Sequence, residues 1–321
     1  MKCIKRFKKR FTAAALFLAT ALSMTGCGAS SIALPYKATM QKPMAQMRTA
    51  QSFASNLCVA AGEVDEVGVT LDDLSCAGLF DVNESKTLYA KGVFDRIAPA
   101  SLTKVMTAYV AMKYGNLNQV ITATANVNIS ESGAQLIGIK KGDKMTLSQA
   151  LHILLIYSAN DVALMIAENI AGSVNEFVTM MNNEALMLGA TSSHFENPHG
   201  LHAQDHYMTV YDMYLVFNAA LQYQEFVEII RMPAYTTTYT TENGMEKEIE
   251  VNNTNLFLRD AELLPDSVVM AGGKTGTTTA AGHCLIVSVK NAEGKPFIAV
   301  VMRAKDHDTL YDEMTQMLSK I

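Results

Sequence analysis

The chain has no tryptophan and only 7 prolines in 321 residues. It has no CxxC pair, and its cysteine and histidine spacing is not read as a metal site. Its 26 Lys and Arg do not outweigh its 31 Asp and Glu, so the formal net charge is −5. Without a basic excess, binding to nucleic acid driven by bulk charge is excluded. Outside the N-terminus no apolar run approaches the roughly 18 residues of a membrane span, which excludes a multi-spanning membrane protein. What is present is a 49% apolar, 18% charged composition that can bury a large core, one large or two modest domains at this length.

The N-terminus reads as an address. Lys2, Lys5, Arg6, Lys8, Lys9 and Arg10 precede an uncharged stretch, Thr12 to Met24, rich in Ala, Leu and Phe. Thr25 and Gly26 then lead into Cys27, and this ending resembles the lipobox of bacterial lipoproteins. Cleavage before Cys27 is expected, with residues 1–26 as the signal peptide and Cys27 carrying the lipid, because two acyl chains anchor where one is marginal. An uncleaved signal-anchor helix is the other reading of the same stretch. Losing residues 1–26 removes six positive charges and no acidic ones, which shifts the net charge from −5 to −11. Of the five cysteines, Cys58, Cys76 and Cys284 then remain for at most one intramolecular disulfide.

Residues 27–65 carry Pro35 and Pro43 and no sustained periodicity, so they read as a tether. Residues 75–90 alternate apolar and polar around NESK, a hairpin signal, and HCLIVSVK–NAEGK–PFIAVVMRA repeats it near the C-terminus before a helical tail. Between them five segments show apolar residues at three- and four-residue spacing. The expected architecture is α/β: an antiparallel sheet from both chain ends flanked by helices, with a helical insertion at about 105–255 inside a domain spanning 66–321. His194, His199, His202 and His206 read as a polar surface loop.

Three short elements carry chemistry. Ser101 lies in the first turn of a helix opened by Pro99, and Lys104 stands one turn further on the same face, so an amine is held beside a hydroxyl. A serine needs such a base, and a helix N-terminus favours developing negative charge. Ser158, Ala159 and Asn160 interrupt two helical segments, and Lys274, Thr275 and Gly276 follow Gly272 and Gly273 ahead of a predicted strand.

SxxK, SxN and KTG in this order resemble the penicillin-binding protein and serine β-lactamase superfamily. PASLTKVMTA, YSANDVA, FENPHGL, HYMTVYDM, NTNLFL and GGKTGTTTAAGHCL further resemble the serine D-Ala-D-Ala carboxypeptidases among low-molecular-mass penicillin-binding proteins, over about residues 70–321. The resemblance implies that Ser101 attacks the penultimate D-Ala carbonyl while Lys104 takes its proton. It gives Ser158 the proton relay to the leaving amine, and Asn160 contacts to substrate backbone and Lys104. Lys274 supplies positive charge, with Thr275, Gly276 and Thr277 contributing substrate contacts and the Ser101 and Thr277 N–H groups an oxyanion hole. No metal or organic cofactor is implied. The implied partners are peptidoglycan stem peptides ending in D-Ala-D-Ala, β-lactams as acylating inhibitors, and the outer face of the cytoplasmic membrane through the lipid anchor. The role is in cell-wall assembly and cell shape.

Gly273, Thr277 and Ala159 depart from residues common in the family and bear on substrate preference. The family's C-terminal β-rich domain and amphipathic helix are not expected, the lipidated Cys27 taking the anchor's place. One alternative is a class A-like β-lactamase, but Glu184 and Glu196 do not stand in that family's ExxLN pattern. The other is a non-catalytic penicillin-recognising sensor, which would not need all five polar groups intact.

Overall fold

The computed structural model describes residues 56–131, 133–260 and 263–321. The expected signal segment, Cys27 and the tether up to residue 55 lie outside the described residues.

The alternating stretch near residue 80 forms β2 (Cys76–Asp81) and β3 (Lys86–Lys91), an antiparallel hairpin with β1 (Val64–Asp65) on its outer side. The C-terminal part supplies β8 (Val268–Thr278), β9 (Gly282–Asn291) and β10 (Pro296–Ala304), and β10 pairs with β2. The result is an antiparallel sheet ordered β1-β3-β2-β10-β9-β8, built from both ends of the fold. β9 and β10 read as nearly unbroken apolar runs because both sheet faces are covered. Leu79, Leu285, Val287, Ala299 and Val301 pack with Leu310, Met314 and Met317 of α8 (His307–Leu318). Phe80, Ile286, Ile298, Val300 and Met302 face the opposite way, into the main core with the helices.

α1 (Thr103–Tyr114) runs through that core, its first nine residues all buried, including the polar Thr103, Lys104 and Thr107 among apolar side chains. Around it lie α2 (Leu147–His152), α3 (Asn160–Ala171), α4 (Val174–Met187), α5 (Val210–Ala220) and α6 (Gln224–Ile230), with the short α7 (Leu256–Arg259) leading to β8. Three of these helices, α2, α4 and α5, start on hydroxyl caps: Thr146 forms a capping box with Gln149, Ser173 accepts from the Glu176 N–H and Thr209 from the Asp212 N–H.

Two expectations need correction. The insertion is not purely helical, because β4 (Val120–Thr122), β5 (Lys144–Thr146), β6 (Ala234–Thr240) and β7 (Glu246–Asn252) form a second antiparallel sheet, ordered β4-β5-β6-β7. β6 and β7 are rich in Thr and Glu and largely solvent-facing, so they lack the apolar alternation that marks a strand. The fold also begins before residue 66. The Cys58 N–H donates to the Tyr214 hydroxyl (2.9 Å), the Tyr211 hydroxyl donates to the Cys58 carbonyl (3.0 Å), and Val59 bridges Lys86. Cys58, Cys76 and Cys284 are all buried free thiols.

Candidate active site

A 3-10 turn, Ala100–Leu102, leads into α1, and Ala100 within it holds a left-handed φ of 47°. This non-glycine strain sits directly before Ser101, where a tight approach to other backbone is needed. Gly276 on β8 lies so close that a Cβ there would meet the Ser101 nitrogen at 2.9 Å and the Leu102 nitrogen at 3.0 Å. The spacing of three between Ser101 and Lys104 does place both groups together: Lys104 Nζ is 2.8 Å from Ser101 Oγ.

Lys104 is fully buried, and its other two contacts are the Asn160 Oδ1 at 2.6 Å and the His199 carbonyl at 2.6 Å. Burial, and then the nearby Lys274 ammonium, hold its amine well below the ordinary lysine range, with Asp161 opposing. A neutral amine has two hydrogens and one lone pair. Two carbonyl oxygens that can only accept take the hydrogens, which leaves the lone pair for the Ser101 hydroxyl.

The second motif is placed by an irregular helix. After α2 the chain makes a π-turn, Ile153–Tyr157, and Ser158 follows in a left-handed conformation, φ 71°. Asn160 then begins α3, tied by its N–H to the Gln135 carbonyl at 2.8 Å. Lys274 stands within β8, not ahead of a strand, on the edge of the large sheet. Its buried Nζ donates to Ser158 Oγ (2.9 Å) and to the Thr275 carbonyl (2.9 Å), and burial lowers it to about 7. Ser101, Lys104, Asn160, Ser158 and Lys274 thus form one polar array, with Thr275, Gly276 and Thr277 along the same cleft of about 340 Å³.

The FENPHGL loop has a structural explanation that sequence reading did not reach. Asn197 Oδ1 accepts from the N–H groups of His199 and Gly200, and this Asx turn aims the His199 carbonyl at Lys104. Gly200 has φ +88°, and a Cβ there would lie 1.9 Å from the Ala100 carbonyl oxygen. Gly200→Ala is therefore expected to cost about 3 kcal/mol or more of stability and to slow acylation of Ser101. A urea midpoint and a penicillin-labelling rate both equal to wild type would contradict this.

The histidine loop is corrected as well. His206 is buried with 4% exposure, and His199 is partly buried. The Glu196 N–H donates to His206 Nδ1 (3.1 Å), which fixes the Nε2–H tautomer, and Nε2 lies 2.9 Å from Thr103 Oγ1. The Thr103 hydroxyl in turn donates to the Ala100 carbonyl at 2.8 Å, so the imidazole secures the turn carrying Ser101. Burial, with neighbouring positive groups adding to it, lowers His199 to about 3 and His206 to about 4. Both are neutral when folded, and the unfolded chain takes up protons below about 6.5, so their contribution to stability is present above that pH and is lost as pH falls towards the folded values. Because Asp161, Asp212 and Glu313 are raised by burial and act oppositely, the comparison is with His206→Gln, which keeps one acceptor and one donor. Between pH 6 and 5 wild type is expected to lose about 1 kcal/mol more than the variant in urea unfolding. Parallel losses would remove His206 as the cause.

Further residues on the cleft escaped sequence reading: Gln135, Thr254, Thr278, His283, His307 and Tyr311. Thr254 Oγ1 and Thr275 Oγ1 share a hydrogen bond at 2.5 Å. NTNLFL was the available signal for Thr254. Nothing local marks His307, which the fold brings in from α8.

An SxxK pair with a buried lysine and a cleft-lining serine, an SxN turn and a KTG edge strand on this α/β scaffold define the penicillin-binding protein class. The fold superposes on the Streptomyces K15 DD-transpeptidase with TM-score 0.71 at 25% identity, covering 78% of this chain and 98% of that one. A penicillin-binding protein homologue from Mycobacterium tuberculosis superposes with TM-score 0.68, also at 25% identity, covering 79% and 94%. The chain belongs to the D-alanyl-D-alanine carboxypeptidase family, whose model matches residues 74–306. It is 32% identical over 245 residues to the D-alanyl-D-alanine carboxypeptidase DacF of Bacillus subtilis, covering 75% of this chain and 60% of the relative. With DacC of Escherichia coli the identity is 30% over 250 residues, covering 75% and 59%. The chain thus spans about 60% of the length of these curated relatives.

Proposed function

We propose that the protein is a serine D-Ala-D-Ala carboxypeptidase that removes the terminal D-Ala from peptidoglycan stem peptides. The observation that carries this reading is the Lys104 amine, 2.8 Å from Ser101 Oγ with both other contacts to carbonyl oxygens. In the reaction Ser101 Oγ bonds to the penultimate D-Ala carbonyl carbon and passes its proton to Lys104. The oxyanion is met by the Ser101 and Thr277 N–H groups. As the C–N bond breaks, the proton held by Lys104 passes through Ser158, itself held by Lys274, to the leaving D-Ala amine, and Lys104 is again a neutral amine. Asn160, Thr275, Gly276 and Thr277 contact the substrate, and the free edge of β8 suits an extended peptide.

Water then attacks the Ser101 ester, gives its proton to Lys104, and the serine is released protonated. Among the described residues no Asp or Glu lines the cleft. Glu184 is instead bonded to Lys113 and Tyr114, and Glu196 accepts from the Asp205 N–H. This argues against the glutamate-driven deacylation of a β-lactamase and for penicillins as inhibitors whose acyl-enzyme persists. Residues 66–321 are the catalytic domain in this reading, extended N-terminally to include Cys58. The enzyme acts outside the cytoplasm and is anchored by a lipid on Cys27. No helix among the described residues is long and apolar enough to cross a membrane, which is compatible with that anchor.

The test is D-alanine release by the full chain from an N-acylated Lys-D-Ala-D-Ala tripeptide, with and without benzylpenicillin. Penicillin-sensitive release supports the reading. Stable acylation by penicillin with no release would point to the sensor, and rapid turnover of penicillin itself to the lactamase.

A further inference from the structure

The part of the cleft wall that carries Gly133 and Gln135 has no regular structure to hold it, since residues 133–140 form neither helix nor strand. It nonetheless borders the same cleft as Thr275, Gly276 and Thr277 of β8. Two consecutive residues at the start of α3 tie it down. The Asn160 N–H donates to the Gln135 carbonyl at 2.8 Å. The Asp161 carboxylate, 1% exposed, accepts from the Ile137 N–H on Oδ1 (3.4 Å) and from the Gly138 (2.9 Å) and Ile139 (3.3 Å) N–H groups on Oδ2. Oδ1 also accepts from the Val162 N–H at 3.0 Å. Burial pushes this carboxyl up and the N–H groups oppose it, but two donors on each oxygen leave no position for a proton, so the site is built for the anion.

The same turn reaches the reacting groups, because Asn160 Oδ1 lies 2.6 Å from Lys104 Nζ. Burial and the Lys274 ammonium hold the Lys104 amine low, and Asp161 is the charge that opposes them. The other ionisable groups on elements packed around Lys104 are neutral or engaged elsewhere. Burial lowers His199 to about 3 and His206 to about 4, Glu184 is bonded to Lys113 and Tyr114, and Asp212 accepts from the Ser192 N–H and the Ser193 hydroxyl.

We propose that Asp161 is a positioning residue, one buried carboxylate that ties the Gln135 wall of the cleft to the Asn160 turn and stands as counter-charge to the Lys104 and Lys274 amines. The inference rests on the carboxypeptidase reading for the peptide that this wall aligns. Its two halves have separate signatures, one in substrate binding and one in the pH dependence of acylation.

The test uses the full chain and two readouts: KM for D-alanine release from the N-acylated Lys-D-Ala-D-Ala tripeptide, and the pH profile of acylation by benzylpenicillin. Asp161→Asn is expected to raise KM about tenfold, because its NH2 group cannot accept from the wall. It is also expected to move the acidic limb of acylation down by about one pH unit, the scale of a nearby buried charge. The sign follows from the charge: an anion favours protonated Lys104, so without it the free amine forms at lower pH. A purely structural role lowers the melting temperature and leaves the limb in place. An unmoved limb or an unmoved KM in folded Asp161→Asn would overturn the proposal. Gly138→Ala keeps the charge but strains the residue that makes the shortest wall contact with Asp161, at φ +75° with nothing within 4 Å of the added Cβ. It is expected to raise KM about threefold or more with the limb unmoved, and an unchanged KM would overturn the tie even if Asp161→Asn does not fold. If wild type is acylated by penicillin yet releases no D-alanine, the carboxypeptidase reading fails, and the acylation profiles of the two variants alone decide on Asp161.

Discussion

Ser101→Ala is expected to abolish D-alanine release and benzylpenicillin labelling together, by about ten-thousand-fold or more, with the melting temperature close to wild type. The size follows from chemistry: the oxygen removed is the atom that bonds to the acyl carbon, and among the described residues no other hydroxyl is hydrogen-bonded to the Lys104 amine. Ser158 is engaged by Lys274, and Thr103 is turned towards Ala100 and His206. The fold has little to lose, because among the described residues the one hydrogen bond of the Ser101 hydroxyl is to Lys104. Labelling that persists at another residue would place the nucleophile elsewhere.

Lys104→Met is expected to slow acylation about a thousandfold, the scale of a positioned general base. Removing the amine also leaves the Asn160 Oδ1 and His199 carbonyl without their donor, which costs stability. Against that stands relief from burying an ionisable group, so the net change in unfolding free energy is small beside the rate effect. Lys104→Arg separates the possible roles. A guanidinium keeps the positive charge and several donors but cannot take the serine proton near neutral pH. If Lys104 acts as the base, Arg is expected to be as slow as Met. If the position supplies only charge, Arg retains activity, and acylation within tenfold of wild type would remove Lys104 as the base.

The parts of this account legible in the sequence are those governed by local spacing. Ser101 and Lys104 share a helix face because they are three residues apart, the β2–β3 hairpin shows because apolar and polar residues alternate around a turn, and the β9–β10 hairpin because its apolar residues line both faces of a covered sheet. Residues 56–65 escaped because single hydrogen bonds, such as Cys58 to Tyr214, hold them without any repeating pattern. The β6–β7 hairpin escaped for the opposite reason, being too exposed to need an apolar face. His206 is polar and lies in a polar stretch, and its burial depends on Thr103, a residue 103 positions away. His283 and His307 belong to different elements, β9 and α8, and only the folded sheet edge sets them on one cleft wall.

The central claim is that the Lys104-activated hydroxyl of Ser101 carries the acyl group. Its most direct test is to mix the full chain with benzylpenicillin, digest it and read by mass spectrometry which peptide carries the drug. The account predicts one penicilloyl group per chain, on Ser101, formed at least a hundredfold more slowly in Lys104→Met. An adduct on any other residue, or none at saturating drug with the chain folded, would contradict it.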